Sequence, residues 1–326
     1  MIGTSSGQES DVVRYARLQF HYAIETDSDE EREKFLRDID PESITGSQLA
    51  GFTEAVLSRA RLPPVHNCMD IVGTGGDGLN TINVSTAASI VVSGLGYTVV
   101  KHGNFGSSNK KGSADFLKFY GYDFTMDSVE LKRRAAKYRF AFILAPMYNE
   151  SFARFAEARK KIQRRTIMNY LGPVTNPASP EKVMLGAASP QIQELYAQYM
   201  VATGKDGFTI HSMDGMDEVS PYSECVVDHV RDGRITRFRL NPEEILGHRI
   251  PLEAITTPVP EKSFQIAADG LKGIDSRSAE FISLNAAAAI SAATGDLDIK
   301  HHFREAINFI TSGEAYEHFR KVMQNA

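Results

Sequence analysis

From residue 65 to about residue 210, short β-rich runs alternate with helical stretches, and that alternation restricts the chain to few folds. The runs Tyr97–Val100, Phe140–Leu144, Val183–Leu185 and Gly207–Ile210 are separated by helical spacing at Ser113–Tyr120, Ser128–Tyr138, Tyr148–Ile162 and Pro190–Thr203. Repeated βα units predict a largely parallel sheet with helices on its faces. Beyond them, Val226–Val230 and Arg234–Phe238 flank Asp232-Gly233, a hairpin turn signature. An Ala-rich helix over Ser278–Thr294 and two more within His302–Met323 complete the pattern. Upstream there is no strand-like alternation between Asp11 and Ala60. Val13, Ala16, Leu18 and Phe20, then Phe35, Leu36 and Ile39, then Leu49, Phe52, Val56 and Leu57 read as apolar positions of helices. The acidic run Asp27–Glu33 reads as a solvated helix face. Residues 1–10 read as a loose end, and Pro63-Pro64 as the boundary between the helical block and the α/β part.

Composition excludes several classes of function. A net charge of −5 over 326 residues argues against a nucleic-acid groove as the main business of the chain. Cys68 and Cys225 have no metal or redox spacing, so a reduced, cytoplasmic setting is expected, with Cys68 a small buried apolar residue. No apolar run reaches transmembrane length and no signal-peptide core opens the chain, so neither a membrane nor export is expected.

The densest chemistry lies between Asp70 and Thr86. The end of a buried strand runs into Gly73, Gly75, Gly76 and Gly78, and a small, apolar helix follows with Ser85 or Thr86 near its start. Strand, glycine turn and helix N-terminus form an anion site from backbone alone, because glycines admit close approach and the free N–H groups favour negative charge. A tight βα turn would share this composition. Lys101-His102-Gly103-Asn104 follows the next strand and leads through Ser107, Ser108 and Asn109 to Gly112-Ser113. It reads as a second phosphate cradle or as a polar surface loop. Asp217-Glu218 follows the Gly207–Ile210 strand. Mg²⁺ takes one or two carboxylates and fills its remaining positions with water and phosphate oxygens, although acidic pairs also occur at Glu30-Glu31 and Glu243-Glu244. All three stretches fall at the C-terminal ends of predicted strands, where open parallel sheets bind ligands. Arg159, at the start of a cationic run, either offsets a helix C-terminus or grips a planar carboxylate.

Taken in order, Gly73-Thr-Gly-Gly-Asp77, Asn83-Val-Ser-Thr86, Lys101-His-Gly-Asn104, Gly112-Ser-Ala-Asp115, Arg165-Thr166, Asn169-x-Leu-Gly-Pro173, Asn176-Pro177 and Asp214-Gly-x-Asp-Glu218 resemble the anthranilate phosphoribosyltransferase family. The resemblance covers about residues 68–220. It implies an α/β protein with a small N-terminal all-helical domain, residues 1–64 with hinge contributions from about 160–180. That domain is hinged to a large α/β domain, residues 65–326, with a mostly parallel central sheet. It implies transfer of the phosphoribosyl group of phosphoribosyl pyrophosphate to the amine of anthranilate, in tryptophan biosynthesis, by a Mg²⁺-dependent homodimer.

By the same resemblance, Gly73, Gly76, Asp77, Thr81, Asn83, Val84, Ser85 and Thr86 contact phosphoribosyl pyrophosphate. Lys101, His102, Gly103, Asn104, Ser107, Ser108, Asn109 and Ser113 line the rest of that substrate. Gly73, Asn104 and Arg159 contact anthranilate, with His102 nearby, and Ser85, Asp217 and Glu218 hold Mg²⁺. No general base is expected, since the aromatic amine is already a nucleophile; Lys101 and His102 act electrostatically. The chain departs from the family pattern at Phe105, where arginine is common, and at Met168, where phenylalanine is usual. Alternative readings are a paralogous phosphoribosyltransferase or a phosphorylase with another aromatic or nucleobase acceptor, and a non-catalytic nucleic-acid-binding relative.

Overall fold

The computed structural model describes residues 10–61, 64–106, 111–125 and 127–324. Residues 1–9 of the expected loose end, Pro63 of the expected boundary, and Ser107, Ser108 and Asn109 lie outside the described residues.

The N-terminal block is helical throughout: α1 (Asp11–Glu25), α2 (Asp29–Asp38) and α3 (Gly46–Leu57). Each starts on a hydroxyl side chain, Ser10, Ser28 or Thr45, that accepts from an amide of the first turn. Val13, Ala16 and Phe20 share one core with Leu36, Leu49, Phe52 and Val56. The Phe20 ring lies 5.2 Å from Phe35, 5.4 Å from Phe52 and 5.3 Å from Phe155, and full burial of such a ring contributes about 1.5–3 kcal/mol. Leu18 departs from the expected pattern. It faces solvent in line with Val12, Tyr15 and Tyr22, two residues out of phase with the buried stripe.

The remainder runs β1 (Met69–Gly73), α4 (Val84–Gly94), β2 (Val99–Gly103), α5 (Ser113–Phe119), α6 (Ser128–Tyr138) and β3 (Phe140–Leu144). Next come α7 (Ala145–Tyr148), α8 (Ser151–Arg154), α9 (Ala156–Ile162), α10 (Ile167–Leu171), β4 (Lys182–Gly186), α11 (Pro190–Thr203) and β5 (Asp206–Ser212). The chain ends with β6 (Cys225–Arg231), β7 (Arg234–Leu240), α12 (Pro242–Leu246), α13 (Pro260–Leu271), α14 (Ser276–Thr294), α15 (Ile299–Thr311) and α16 (Glu314–Gln324). The single helix expected over Tyr148–Ile162 is instead three short ones. Asn149 interrupts it, its amide nitrogen donating to the Val56 carbonyl and its side-chain oxygen accepting from the Ser151 amide.

One seven-stranded sheet, ordered β3-β2-β1-β4-β5-β6-β7, spans the molecule. The five strands from β3 to β5 are parallel, and β6 and β7 are antiparallel. The hairpin between them turns on Asp232 (φ 50°) and Gly233 (φ 73°), both left-handed, as a two-residue turn of this kind requires. The parallel strands are buried on both faces, whereas the edge strand β7 is largely exposed. Met69, Ile71, Met184 and Phe208 pack against α4, α13, α14 and the C-terminal helices. Val183 and Leu185, of opposite parity, share a core with α11, α10 and the N-terminal helices. The sheet is therefore mixed, largely parallel, and flanked by a helical N-terminal region.

Candidate active site

The glycine turn leaves the C-terminal end of β1. Gly75 and Gly76 have φ of +65° and +74°, values that favour glycine, and a Cβ at Gly73 would overlap the Asp217 carboxylate. Asp217 comes from the connection between β5 and β6, yet its Oδ2 accepts from the Gly75 amide at 2.5 Å and the Thr74 hydroxyl at 3.3 Å. A Cβ at Gly186, the β4 residue paired with Gly73, would overlap the Asp217 carbonyl oxygen. Two glycines at the ends of adjacent strands thus clear the path by which the acidic loop reaches the glycine turn.

Glu218 stands beside α4. Its Oε2 accepts from the Thr81 hydroxyl at 3.5 Å, and the Ser85 backbone favours its charged form. Burial, then Asp217 and Asp77, nevertheless hold this carboxyl well above the ordinary carboxylate range. Burial, then Asp77, raise Asp217 to about 6. Asp77 caps its own turn through Oδ1, which accepts from the Leu79 amide at 3.1 Å, while its Oδ2 is buried with no hydrogen-bond partner. Three carboxylates therefore crowd one edge of the sheet.

Lys101 is a buried cation that acts on this cluster. The sequence pattern puts it just past a strand; it lies within β2, which begins at Val99 and runs to Gly103. Side chains alternate across a strand, and the consequence is direct. Lys101 points beneath α4, where its ammonium donates to the Ile71 carbonyl and lies 3.4 Å from Ser85 Oγ. Burial lowers its pKa, and Asp70, Glu218 and Asp217 oppose that shift. His102 faces the opposite side, where burial lowers its ring to about 4 against the opposing effect of the Gly172 backbone. At neutral pH this imidazole carries no charge.

Other predicted residues fall into place around this centre. Val84 and Thr86 are buried in the first turn of α4, and Asn83 precedes it. Asn83 does not cap the helix; its Nδ2 donates to the Lys111 carbonyl at 2.8 Å and its Oδ1 is buried without a partner. Gly103 abuts the Ser113 hydroxyl so closely that a Cβ there would overlap it. Asn104 is exposed, and its Oδ1 accepts from the Phe105 amide at 2.8 Å. Asp115 accepts from both Gly106 (2.7 Å) and Gly112 (3.0 Å), drawing together the two flanks of 107–110. Gly76 offers its carbonyl to Arg165 Nη2 at 3.2 Å. No side-chain hydrogen bond or ion pair among the described residues ties Arg159 to this centre. It is exposed on α9 with no ion pair among the described residues. The Phe105 ring packs edge-on to Phe124 at 5.9 Å, with Lys118 Nζ 5.6 Å from its centroid.

Sequence reasoning passed over three supporting residues. Asp70 accepts from Asn176 Nδ2 at 2.8 Å and faces the His102 amide, beneath the site. Lys111 donates to the Asn80 and Thr257 carbonyls at 2.9 and 2.6 Å. Asn285, fully buried on α14, accepts from the Val219 amide and donates to the Val219 carbonyl, both at 3.0 Å. A polar amide within the Ala-rich run Asn285–Ile290 was the available signal for that last residue.

Residues 65–316 match the glycosyl transferase family, a/b domain, so the sheet edge just described belongs to a glycosyl transferase. The chain is 42% identical over 289 residues to the anthranilate phosphoribosyltransferase of Picrophilus torridus, covering 88% of each chain. It is 33% identical to that of Thermoplasma acidophilum, covering 98% of this chain and 97% of the relative. The chain belongs to the anthranilate phosphoribosyltransferase family. Its fold agrees with the crystal structure of the Thermus thermophilus enzyme at a TM-score of 0.87 and 30% identity, covering 97% of this chain and 99% of that one. It also matches the Saccharomyces cerevisiae enzyme in complex with PRPP and Mg at a TM-score of 0.81 and 27% identity, covering 98% and 94%.

Proposed function

We propose that this enzyme transfers the phosphoribosyl group of phosphoribosyl pyrophosphate (PRPP) to the amine of anthranilate, giving N-(5-phosphoribosyl)anthranilate and pyrophosphate. The observation that carries this reading is the meeting of the glycine turn with the acidic loop at Gly75 and Asp217. Backbone amides suited to phosphate and carboxylates suited to a hard cation stand at one edge of the sheet.

The donor set fits Mg²⁺. It is all oxygen, with an unpartnered buried Oδ2 on Asp77 and two carboxyls, Asp217 and Glu218, held high by burial and then by neighbouring carboxylates. Asp217, Glu218 and the Ser85 hydroxyl would hold the ion. Bound there, Mg²⁺ supplies positive charge to the departing pyrophosphate.

The chain's own groups do the rest. Gly73, Gly76, Asp77, Thr81 and the first turn of α4 from Asn83 to Thr86 cradle the diphosphate. Lys101 provides a fixed positive charge beneath them, needing no reorganisation as the ribose–oxygen bond breaks. His102, neutral at pH 7, serves as a hydrogen-bonding group on the acceptor side. Gly103, Asn104 and Ser113 line the rest of PRPP. Asn104 and the Gly73 backbone receive anthranilate. Arg159 reaches that acceptor when the helical block, residues 1–64 with about 160–180, swings on its hinge toward the α/β domain of residues 65–326. Such closure excludes water, which would otherwise hydrolyse the activated ribose.

With this reaction the enzyme serves tryptophan biosynthesis, and two cysteines without metal or redox spacing support a cytoplasmic setting. A homodimer joined through the N-terminal helices is supported by exposed Val12, Tyr15, Leu18 and Tyr22 along one face of α1. The direct assay mixes enzyme, Mg²⁺, PRPP and anthranilate and follows the decay of anthranilate fluorescence. Mg²⁺-dependent decay with stoichiometric pyrophosphate release is expected; a folded enzyme that consumes no anthranilate overturns the assignment.

A further inference from the structure

We propose that the start of α15 carries a second metal site, for a first-row transition ion such as Zn²⁺ or Co²⁺, held by His301, His302 and Glu305. The three residues stand at positions i, i+1 and i+4, so both imidazoles address the same carboxylate one turn along. His302 Nδ1 lies 3.1 Å from Glu305 Oε2, and His301 Nε2 lies 3.7 Å from Glu305 Oε1. One ligand atom from each residue falls within 4.8 Å of the other two. Ligands about 2.0–2.2 Å from a tetrahedral ion come to similar separations after small rotations of the exposed side chains. Two imidazoles and one carboxylate suit a borderline ion and leave a position for water, unlike the all-oxygen set at the other edge of the sheet.

A second observation is the state of His302. The residue is 6% exposed, and its Nε2 is buried with no hydrogen-bond partner. Asp296 Oδ2 faces that nitrogen at 3.7 Å, beyond hydrogen-bond reach, while Asp296 Oδ1 is held by the Asp298 amide at 3.0 Å. With its proton on Nδ1 toward Glu305, the ring leaves a bare nitrogen lone pair in the interior. A metal at Nδ1 would leave the proton on Nε2, and a small rotation of the exposed Asp296 side chain would bring its carboxylate within hydrogen-bond reach, the carboxylate–histidine–metal arrangement that orients ligating histidines. The ion thus satisfies a buried group that the protein alone leaves unpartnered.

The cluster also lies away from the phosphate-binding edge. Tyr97 enters β2 from its N-terminal end, and after burial it is Glu305 and Asp296 that raise its hydroxyl. The candidate active site is at the opposite, C-terminal, ends of the strands.

The test is Co²⁺ titration of the whole enzyme in excess Mg²⁺, which occupies the oxygen sites, followed by visible absorption. One equivalent of Co²⁺ with an intense d–d band, displaced by Zn²⁺, is expected. His301→Gln and Glu305→Gln should each weaken binding by at least about tenfold. Both side chains are about half exposed, at 55% and 47%, so far-UV circular dichroism of these variants should match the parent. A band that persists unchanged in both variants, or no Co²⁺ bound at one equivalent in the parent, overturns the site.

Discussion

The Oδ2 atom of Asp217 accepts a hydrogen bond from the Gly75 amide at 2.5 Å across 142 positions of sequence. That contact joins the turn after β1 to the loop after β5. Replacing Asp217 by Asn and Glu218 by Gln keeps the shape of the loop and removes two negative charges. We expect the double variant to need about 10–100-fold more Mg²⁺ for half-maximal PRPP turnover. A Mg²⁺ titration of the initial rate measures this, and an unchanged midpoint refutes the metal role.

Glycines at the site differ in what they tolerate. A Cβ at Gly75 meets nothing within 4 Å, but φ of +65° is strained for an L side chain. Gly75→Ala should therefore cost about 1 kcal/mol. At Gly186 a Cβ would overlap the Asp217 carbonyl, a backbone atom that cannot swing aside. Gly186→Ala should cost about 3 kcal/mol and should displace the acidic loop, raising the KM for PRPP. Urea unfolding and steady-state kinetics of the pair read both effects.

Asn285 holds the acidic loop from beneath through both backbone groups of Val219. Asn285→Ala leaves a buried amide and a buried carbonyl unpaired. A loss of about 2–4 kcal/mol follows from two such groups. Calorimetric melting reads the stability, and weakened Mg²⁺ dependence in the same variant distinguishes a slack loop from a merely less stable fold.

Along α1, Tyr15 and Leu18 are 65% and 52% exposed. A charge placed in that apolar stripe is harmless to a monomer and costly within an interface. Leu18→Asp should convert a dimer to monomers in sedimentation equilibrium without changing far-UV circular dichroism. A parent that sediments as a monomer refutes the interface.

His318 packs against the C-terminal end of α4, its Nε2 2.9 Å from Ser93 Oγ. Burial, then Lys321, lower its pKa to about 4. The unfolded chain, with a histidine near 6.5, takes up a proton that the folded one refuses. Stability is therefore complete above about pH 6.5 and falls as the pH drops toward 4. Denaturant unfolding at pH 7 and pH 5 should show a smaller loss in His318→Gln than in the parent.

Much of the architecture was legible because its signals are local. The hairpin turn at Asp232-Gly233 and the strand Phe140–Leu144 declare themselves in a few residues, and the glycine turn does so by composition. The structure brings the 73–77 turn and the 217–218 acids together as the sequence pattern anticipated. Lys101 was misplaced relative to its strand because a boundary shift of two or three residues is invisible to periodicity, yet it decides which face a side chain takes. Leu18 was grouped with Val13, Ala16 and Phe20 because apolar character alone does not reveal which stripe of a helix is covered. Asn285 and Asp70 escaped notice since their partners, Val219 and Asn176, are 66 and 106 positions away.

The direction of β6 has a consequence for how the proposed diphosphate site is sized. Because β6 runs back against β5, residues 213–224 turn round at the same rim that bears the glycines, whereas a parallel strand would have required a crossover to the far rim. The acids then have no helix of their own beneath them and hang from α14 through Asn285, while the glycine turn is seated on α4. These two helices pack through alanines such as Ala87, Ala88, Ala287 and Ala288, all fully buried. Their spacing acts as the calliper of the site: bulk added along that seam would widen the jaws without touching either one.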